Sequence, residues 1–470
     1  MNLKERFLSH QYSALIFFVA IYLLLTIPFL STSPLIWADE GLLSEISWHL
    51  VKDGVFAQPL WAGYLGFEHF SVHPNYLYFL FLAFSFKILG VGIFQARLVS
   101  VLSGLFLMIF FYLFVEKMWR KKEAQIATIL LFLNPLFILS ARIVRQEMVT
   151  ALFAFLAISF AILGLKKNRN NIFLAGIFAG LTILAHLNGV FVSFAVLVLL
   201  FMKKIFVRKR EWNVIGYFIL GITIALLPYL IFITIHWDIF FLQFSNMWSY
   251  RLPTGGAIIL RNLLYEPQRW LKGITTPLSL AIGIIAFLYF LPKIKKLQEI
   301  YIPLVVMILC YAFFDYHKYY GYFLLILPLF CLLSGRLFAK YISYKNTRVI
   351  ALIALLLISV GYVGVEEYKV WRDLRSDYTA YCNKIKEIID KPGVILGDNL
   401  YWFCFPDGNL RDIIIPQVWL HDKEGKSSQE IFAFQYISYV ILDSALNIVL
   451  HQNKAVFKVP FFMNEERWGS

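Results

Sequence analysis

Apolar blocks of about 15–22 residues recur along this chain, separated by short charged loops, and that recurrence restricts its fold more than any other feature. The stretch "SALIFFVAIYLLLTIPFL" near the N-terminus is one such block. In lipid, every backbone N–H and C=O must be satisfied within the protein, so a lone apolar block of this length forms a helix. Only 15% of residues are charged, against about 25% in soluble domains. The chain therefore reads as an α-helical polytopic membrane protein. The first block is too long for a signal peptide and lacks a small-residue cleavage site, so it is expected to be retained.

Eleven candidate spans follow: 12–31, 97–115, 124–140, 148–165, 172–187, 189–202, 213–233, 276–292, 300–314, 319–334 and 348–365. The formal charge of +14 would suggest nucleic acid in a soluble protein. Here the basic residues are split among "EKMWRKKE" (116–123), "KKNRN" (166–170), "KKIFVRKRE" (203–211), "KIKK" (293–296) and "RLFAKYISYKNTR" (336–348). Such short loops beside spans mark the cytoplasmic side, and their dispersal argues against a nucleic-acid partner. With the N-terminus cytoplasmic, all five clusters fall inside, while 32–73, 141–147 and the C-terminal stretch fall outside. "PNYLYFLFLAFSFKILG" (74–90) is apolar enough to span, but a crossing there would turn every later basic loop outward. It is read as a helix lying in the outer interface.

Two outer segments stand out. Residues 32–73 are rich in acids, Trp and His. Residues 234–275 carry Trp237, Trp248, Tyr250 and Trp270, which suit an interfacial aromatic belt, and a "PTGG" hinge at 253–256 that would serve a lid. Beyond residue 366 the composition changes. "SDYTAYCNKIKEIID" has helical spacing, and "KPGVILGDN", "ISYVILDS" and "KAVFKVPFF" read as turn and strand segments. The expected organisation is a membrane domain over 1–365 and a small extracytoplasmic α/β domain over 366–470. Cys310 and Cys331 lie in spans as packing residues. Cys382 and Cys404 lie in the polar C-terminal part, where a disulfide between them is compatible with an oxidising compartment but not required.

Four clusters of ionisable residues meet the outer face: Asp39 and Glu40; Arg142, Arg145 and Glu147 in "LSARIVRQEMV"; Asp315, His317 and Lys318 in "FFDYHKYYGY"; and Glu68, His69 and His73 in "FEHFSVHPNY". A single charge at a span end is often a solvated cap. Four mixed clusters on one face suit chemistry instead. Carboxylates from two loops can activate an acceptor hydroxyl or hold a divalent cation, and Lys and Arg can hold a phosphate.

The segment "ADEGLLSEISWHLVKDG", followed by "HPNYLYFLFLAFSFKILGVGIFQARLVSVLSG", resembles the first loop of the GT-C superfamily of polyprenol-dependent glycosyltransferases. The nearer group is glycosyltransferase family 39, which holds the protein O-mannosyltransferases and lipid A aminoarabinose transferases. "HKYYGYFLLILPLF" is similar to their late Lys/Arg-Tyr…Pro segment. The resemblance covers roughly residues 10–340. It implies a GT-C fold with interfacial helices in the first outer loop, in the cell membrane. It implies Asp39 as the base, with Glu40 beside it and Glu147 in the place of a second acid that is usually Asp. His73-Pro74-Asn75 stands where the family has His-Pro-Pro.

By the same resemblance Lys318, with Arg142 or Arg145 and with His73 nearby, would meet the donor phosphate. Asp39 and Glu147 could also share a divalent metal cation. The implied reaction is inverting transfer of a sugar from a polyprenyl-phosphate donor to a protein, lipid or glycan acceptor at the extracytoplasmic face. A transporter or lipid flippase is the rival. It predicts inverted repeats and charges near the bilayer midplane, whereas no repeat is visible here and the charges lie at span ends.

Overall fold

The computed structural model describes residues 12–72, 74–165, 169–207, 213–249, 256–271, 275–315, 318–374, 378–389, 393–407, 410–412 and 437–441. His73, His317, Tyr250, positions 253–255 of the expected hinge, parts of the basic loops at 166–170 and 203–211, and the "KAVFKVPFF" strand lie outside the described residues.

Helix α1 (Ser13–Thr26) enters the bundle. Helix α2 (Ala38–Asp53) begins at the acidic pair, which lies in its first turn, where the dipole favours anions. It ends at Gly54, whose φ of 73° is the left-handed geometry of a helix stop. Helix α3 (Tyr76–Leu89) is the segment expected in the interface. Its 14 residues extend about 21 Å, short of the roughly 30 Å of hydrocarbon.

Then come α4 (Ile93–Met118), α5 (Lys121–Phe132), α6 (Pro135–Ala141), α7 (Glu147–Gly164), α8 (Arg169–Ala185), α9 (Gly189–Val207) and α10 (Asn213–Ile235). Between α5 and α6 the axis bends by 63°. Pro135 lacks the N–H needed to continue α5, and Asn134 caps the new helix by accepting from the Leu136 N–H at 3.0 Å. Helices α8 and α10 press together where a Cβ on Gly176 would lie 2.1 Å from the Phe218 carbonyl oxygen. Such small-residue contacts drive helix association in lipid, where apolar burial between helices gains little.

The segment 234–275 holds α11 (Trp237–Ser249) and α12 (Gly256–Leu271). Helices α13 (Thr275–Phe290) and α14 (Ile294–Phe314) follow. The chain doubles back between them: the Tyr301 hydroxyl donates to the Phe287 carbonyl at 2.5 Å, whereas fourteen residues of continuous helix would hold the two about 21 Å apart. Helices α15 (Leu327–Ser343) and α16 (Arg348–Asp373) complete the bundle. Ile350 and Leu357 on α16 are 70% and 66% exposed, as expected of side chains that face lipid.

Among the described residues, five helical stretches are long and apolar enough to cross a bilayer, or six if the bent α5–α6 pair is one span. Four shorter apolar helices accompany them. Eleven spans were expected from composition. Part of the difference is that the folded-back pair α13–α14 is counted as a single stretch, Leu278–Phe314.

Among its described residues the C-terminal part holds α17 (Tyr378–Ile388) and three parallel strands, β1 (Val394–Gly397), β2 (Leu410–Asp412) and β3 (Ile437–Val440), in the order β2-β1-β3. Ile395 pairs with Leu410, and Val394 with Ile437. Cys382 on α17 and Cys404 are joined as a disulfide. This unit rests on the segment that holds α2 and Trp61. A Cβ on Gly41 of α2 would lie 2.0 Å from the Asn399 carbonyl oxygen, and the Trp61 indole N–H donates to Asp412 at 3.0 Å.

Candidate active site

The acidic pair of α2 is split by helix geometry. Adjacent residues on a helix point about 100° apart, so Asp39 and Glu40 have different surroundings. Glu40 is fully buried. Arg97 of α4 grips it through two bonds, Nε at 2.8 Å and Nη2 at 2.7 Å, and also donates to the Leu30 carbonyl at 2.9 Å. The backbone N–H groups of Val144 (3.0 Å) and Trp37 (3.1 Å) bond the same carboxylate. Glu40 thus ties together α2, α4 and the 142–146 turn.

The Asp39 side chain is 41% exposed. It accepts from Arg145 Nη1. The same guanidinium donates to Glu147, at 3.1 Å from Nε and 2.8 Å from Nη2, and Glu147 is buried at the first turn of α7. Arg145 also lies against two rings, 4.7 Å from the Trp37 centroid and 4.5 Å from that of Tyr319. Two carboxylates therefore share one cation, leaving one negative charge in excess. Burial pushes the Asp39 carboxyl above its usual range, and the Arg145 charge partly opposes that rise.

A second cluster adjoins the first through Tyr319. Lys318 donates to Glu266 at 2.7 Å and to the Ala312 carbonyl at 3.0 Å. Arg269, fully buried, bonds Glu266 at 3.0 Å and Asp315 at 2.7 Å, and its Nη1 reaches the Tyr319 carbonyl at 3.4 Å. Lys318 has a φ of 48°, in the left-handed region that non-glycine residues seldom occupy. Burial lowers its ammonium pKa, while Glu266 opposes the shift.

Comparison with known proteins agrees with this architecture. The family described as dolichyl-phosphate-mannose-protein mannosyltransferase matches residues 72–235. The chain is similar in structure to ArnT from Cupriavidus metallidurans bound to undecaprenyl phosphate, with a TM-score of 0.65 and 12% identity over 94% of this chain and 95% of that one. It is also similar to the oligosaccharyltransferase AglB from Archaeoglobus fulgidus in complex with an inhibitory peptide and a dolichol-phosphate. That match has a TM-score of 0.57 and 13% identity over 93% of this chain and 70% of that one. No curated protein sequence matches the chain significantly.

The chain has the fold of these GT-C enzymes.

Within this fold the sequence-derived residues separate by surroundings. Asp39, Arg145 and Glu147 form one linked group. Arg142 holds backbone groups. It donates to the carbonyls of Leu25 (2.8 Å), Pro28 (3.0 Å) and Ser33 (3.0 Å), which pins the end of α1 and the chain beyond it. Lys318 belongs to the second cluster, whose Glu266 and Arg269 sequence reasoning missed. Their signal was an acid and a base three residues apart in "YEPQRW", one turn of helix. Arg97 was missed too, although a lone arginine entering an apolar run is itself a sign of a buried partner.

A divalent metal does not fit the Asp39–Glu147 pair as arranged, because the Arg145 guanidinium already occupies the position between the two carboxylates. Among the described residues, no group of three or more His, Cys, Asp or Glu side chains is placed to hold a metal ion.

Proposed function

We propose that this membrane glycosyltransferase moves a sugar from a polyprenyl-phosphate donor to an acceptor at the Asp39 end of the bundle, with inversion at the anomeric carbon. The observation that carries the reading is the contrast within the acidic pair: Glu40 is closed on all sides, while Asp39 is 41% exposed and oriented by a locked cation. A carboxylate held open in this way can accept a proton. Its raised pKa strengthens it as a base, since a base works best with a pKa near the working pH.

In the proposed step the acceptor's heteroatom forms a bond to the anomeric carbon. The bond from that carbon to the phosphate oxygen breaks, its electron pair leaves with the polyprenyl phosphate, and the acceptor proton passes to Asp39. Arg145 and Glu147 hold Asp39 in line. Lys318 would meet the departing phosphate, whose charge grows in the transition state, and Glu266 would release it to do so. Arg142 is assigned to positioning, since its hydrogen bonds go to backbone carbonyls.

The donor class rests on the similar proteins, one bound to undecaprenyl phosphate and one in complex with a dolichol-phosphate. The acceptor class, protein, lipid or glycan, stays open. The extracytoplasmic placement of this end, and of the α/β unit after residue 366, rests on the basic loops at the other end of the bundle. A transporter is disfavoured because the buried charges cluster at helix ends rather than at mid-helix.

Incubating the purified chain with polyprenyl-phosphate sugars, and separately with nucleotide sugars, tests the reading. Release of polyprenyl phosphate from the first alone is expected. Turnover of the nucleotide sugars alone would overturn it.

A further inference from the structure

Helix α4 leads from the Arg97–Glu40 pair at one end to Trp119 at the other. Twenty-two residues of helix span about 33 Å, one membrane thickness. At the Trp119 end lies a cavity of about 360 Å³, lined by Lys293, Lys296, Arg336, Lys340 and Glu123 among others. Three segments that are far apart in sequence supply these residues: Glu123 comes from α5, Lys293 and Lys296 from the start of α14 and the residue before it, and Arg336 and Lys340 from α15. Four cations against one carboxylate in one recess is more than orientation in the membrane requires, because loops that only mark the cytoplasmic side need not converge.

Two of these cations are also held in place. The Arg336 guanidinium lies 4.6 Å from the Trp119 ring centroid and 5.7 Å from that of Phe290. Lys340 donates to the Tyr289 hydroxyl and lies 4.7 Å from its ring. Flanking the lining residues Phe290 and Lys293 along the chain, Leu288, Leu291 and Ile294 are 56%, 42% and 42% exposed. A free anion would have no use for this apolar rim, whereas acyl chains would cover it.

We infer that this cavity binds the phosphate headgroup of an anionic phospholipid in the leaflet opposite the candidate active site. The phosphate lies between Arg336 and Lys340, with Lys293 and Lys296 at the mouth and the acyl chains along α13 and the start of α14. Basic pockets between helices at this depth are a recurring form of lipid recognition.

The test follows thermal unfolding of the full chain in neutral detergent during titration with short-chain phosphatidylglycerol, short-chain phosphatidylcholine or inorganic phosphate. Phosphatidylglycerol is expected to raise the unfolding midpoint saturably, with little effect from the other two. Each removed cation should weaken apparent affinity about fivefold. Lys293→Gln/Lys296→Gln alters only exposed side chains, so it should fold normally and bind about 25-fold more weakly. Arg336→Gln/Lys340→Gln should lose the effect further. Equal stabilisation by the two lipids, or wild-type affinity in Lys293→Gln/Lys296→Gln, would overturn the inference. Stabilisation by inorganic phosphate alone would overturn the assignment to a lipid.

Discussion

The Arg145 guanidinium lies 4.5 Å from the centre of the Tyr319 ring. Through Tyr319, whose carbonyl accepts from Arg269 at 3.4 Å, the Asp39–Arg145–Glu147 group is joined to the Glu266–Arg269–Asp315–Lys318 group. The first group has one negative charge in excess and the second is balanced. Proton acceptance suits the first. A phosphate suits the second only when Lys318 exchanges Glu266 for it.

Asp39→Asn keeps the size of the side chain and its place in the first turn of α2. It removes the proton acceptor. Transfer should fall by about 100-fold or more, while donor binding, measured by titration with a polyprenyl phosphate, should persist. Normal transfer by a folded Asp39→Asn protein would remove Asp39 from the mechanism and leave Glu147 as the leading base.

The pH profile follows from the direction of the Asp39 shift. The base must be ionised, so activity is lost as pH falls through its pKa. Because burial raises that pKa, the acid limb of kcat/KM should lie above the range of an ordinary aspartate. Arg145 lowers the Asp39 pKa, so Arg145→Gln should move the limb to still higher pH. A limb that stays in place in Arg145→Gln would show that another group titrates.

Lys318→Ala tests the phosphate role. A hydrogen bond to a charged group contributes about 1.5–3 kcal/mol, so donor affinity or single-turnover rate should fall roughly 10- to 100-fold. Acceptor binding should change little. If donor use were unaffected, Arg269 or Arg145 would take over the assignment.

Glu40→Gln and Arg97→Met should act on stability rather than on chemistry. Both side chains are fully buried in one bidentate pair. Removing one partner of such a pair costs about 3–5 kcal/mol. The unfolding midpoint should drop clearly, and the protein that remains folded should still transfer sugar, with the acid limb of Glu40→Gln moved slightly to lower pH because the Glu40 charge raises the Asp39 pKa. A normal midpoint with lost transfer would instead place Glu40 in the reaction.

Much of the membrane architecture is legible in the linear chain, because each span must satisfy its own backbone and face lipid, and both demands act over one local stretch. The alternating blocks, the basic loops and the short helix at 76–89 could be located in this way. The acidic exit of the first block, with Glu147 and Lys318 behind it, could be located too. What only the tertiary structure decided is which of these charges are spent on each other. Asp39 and Glu40 are neighbours in sequence, yet one faces outward and the other is closed by Arg97, 57 residues away. Glu266 finds Lys318, and Arg269 the Tyr319 carbonyl, across some 50 residues. The basic cavity gathers the ends of α5, α14 and α15, whose charges had looked independent. Pairings of this kind depend on how whole helices pack, and no local pattern encodes the distance between two helix ends.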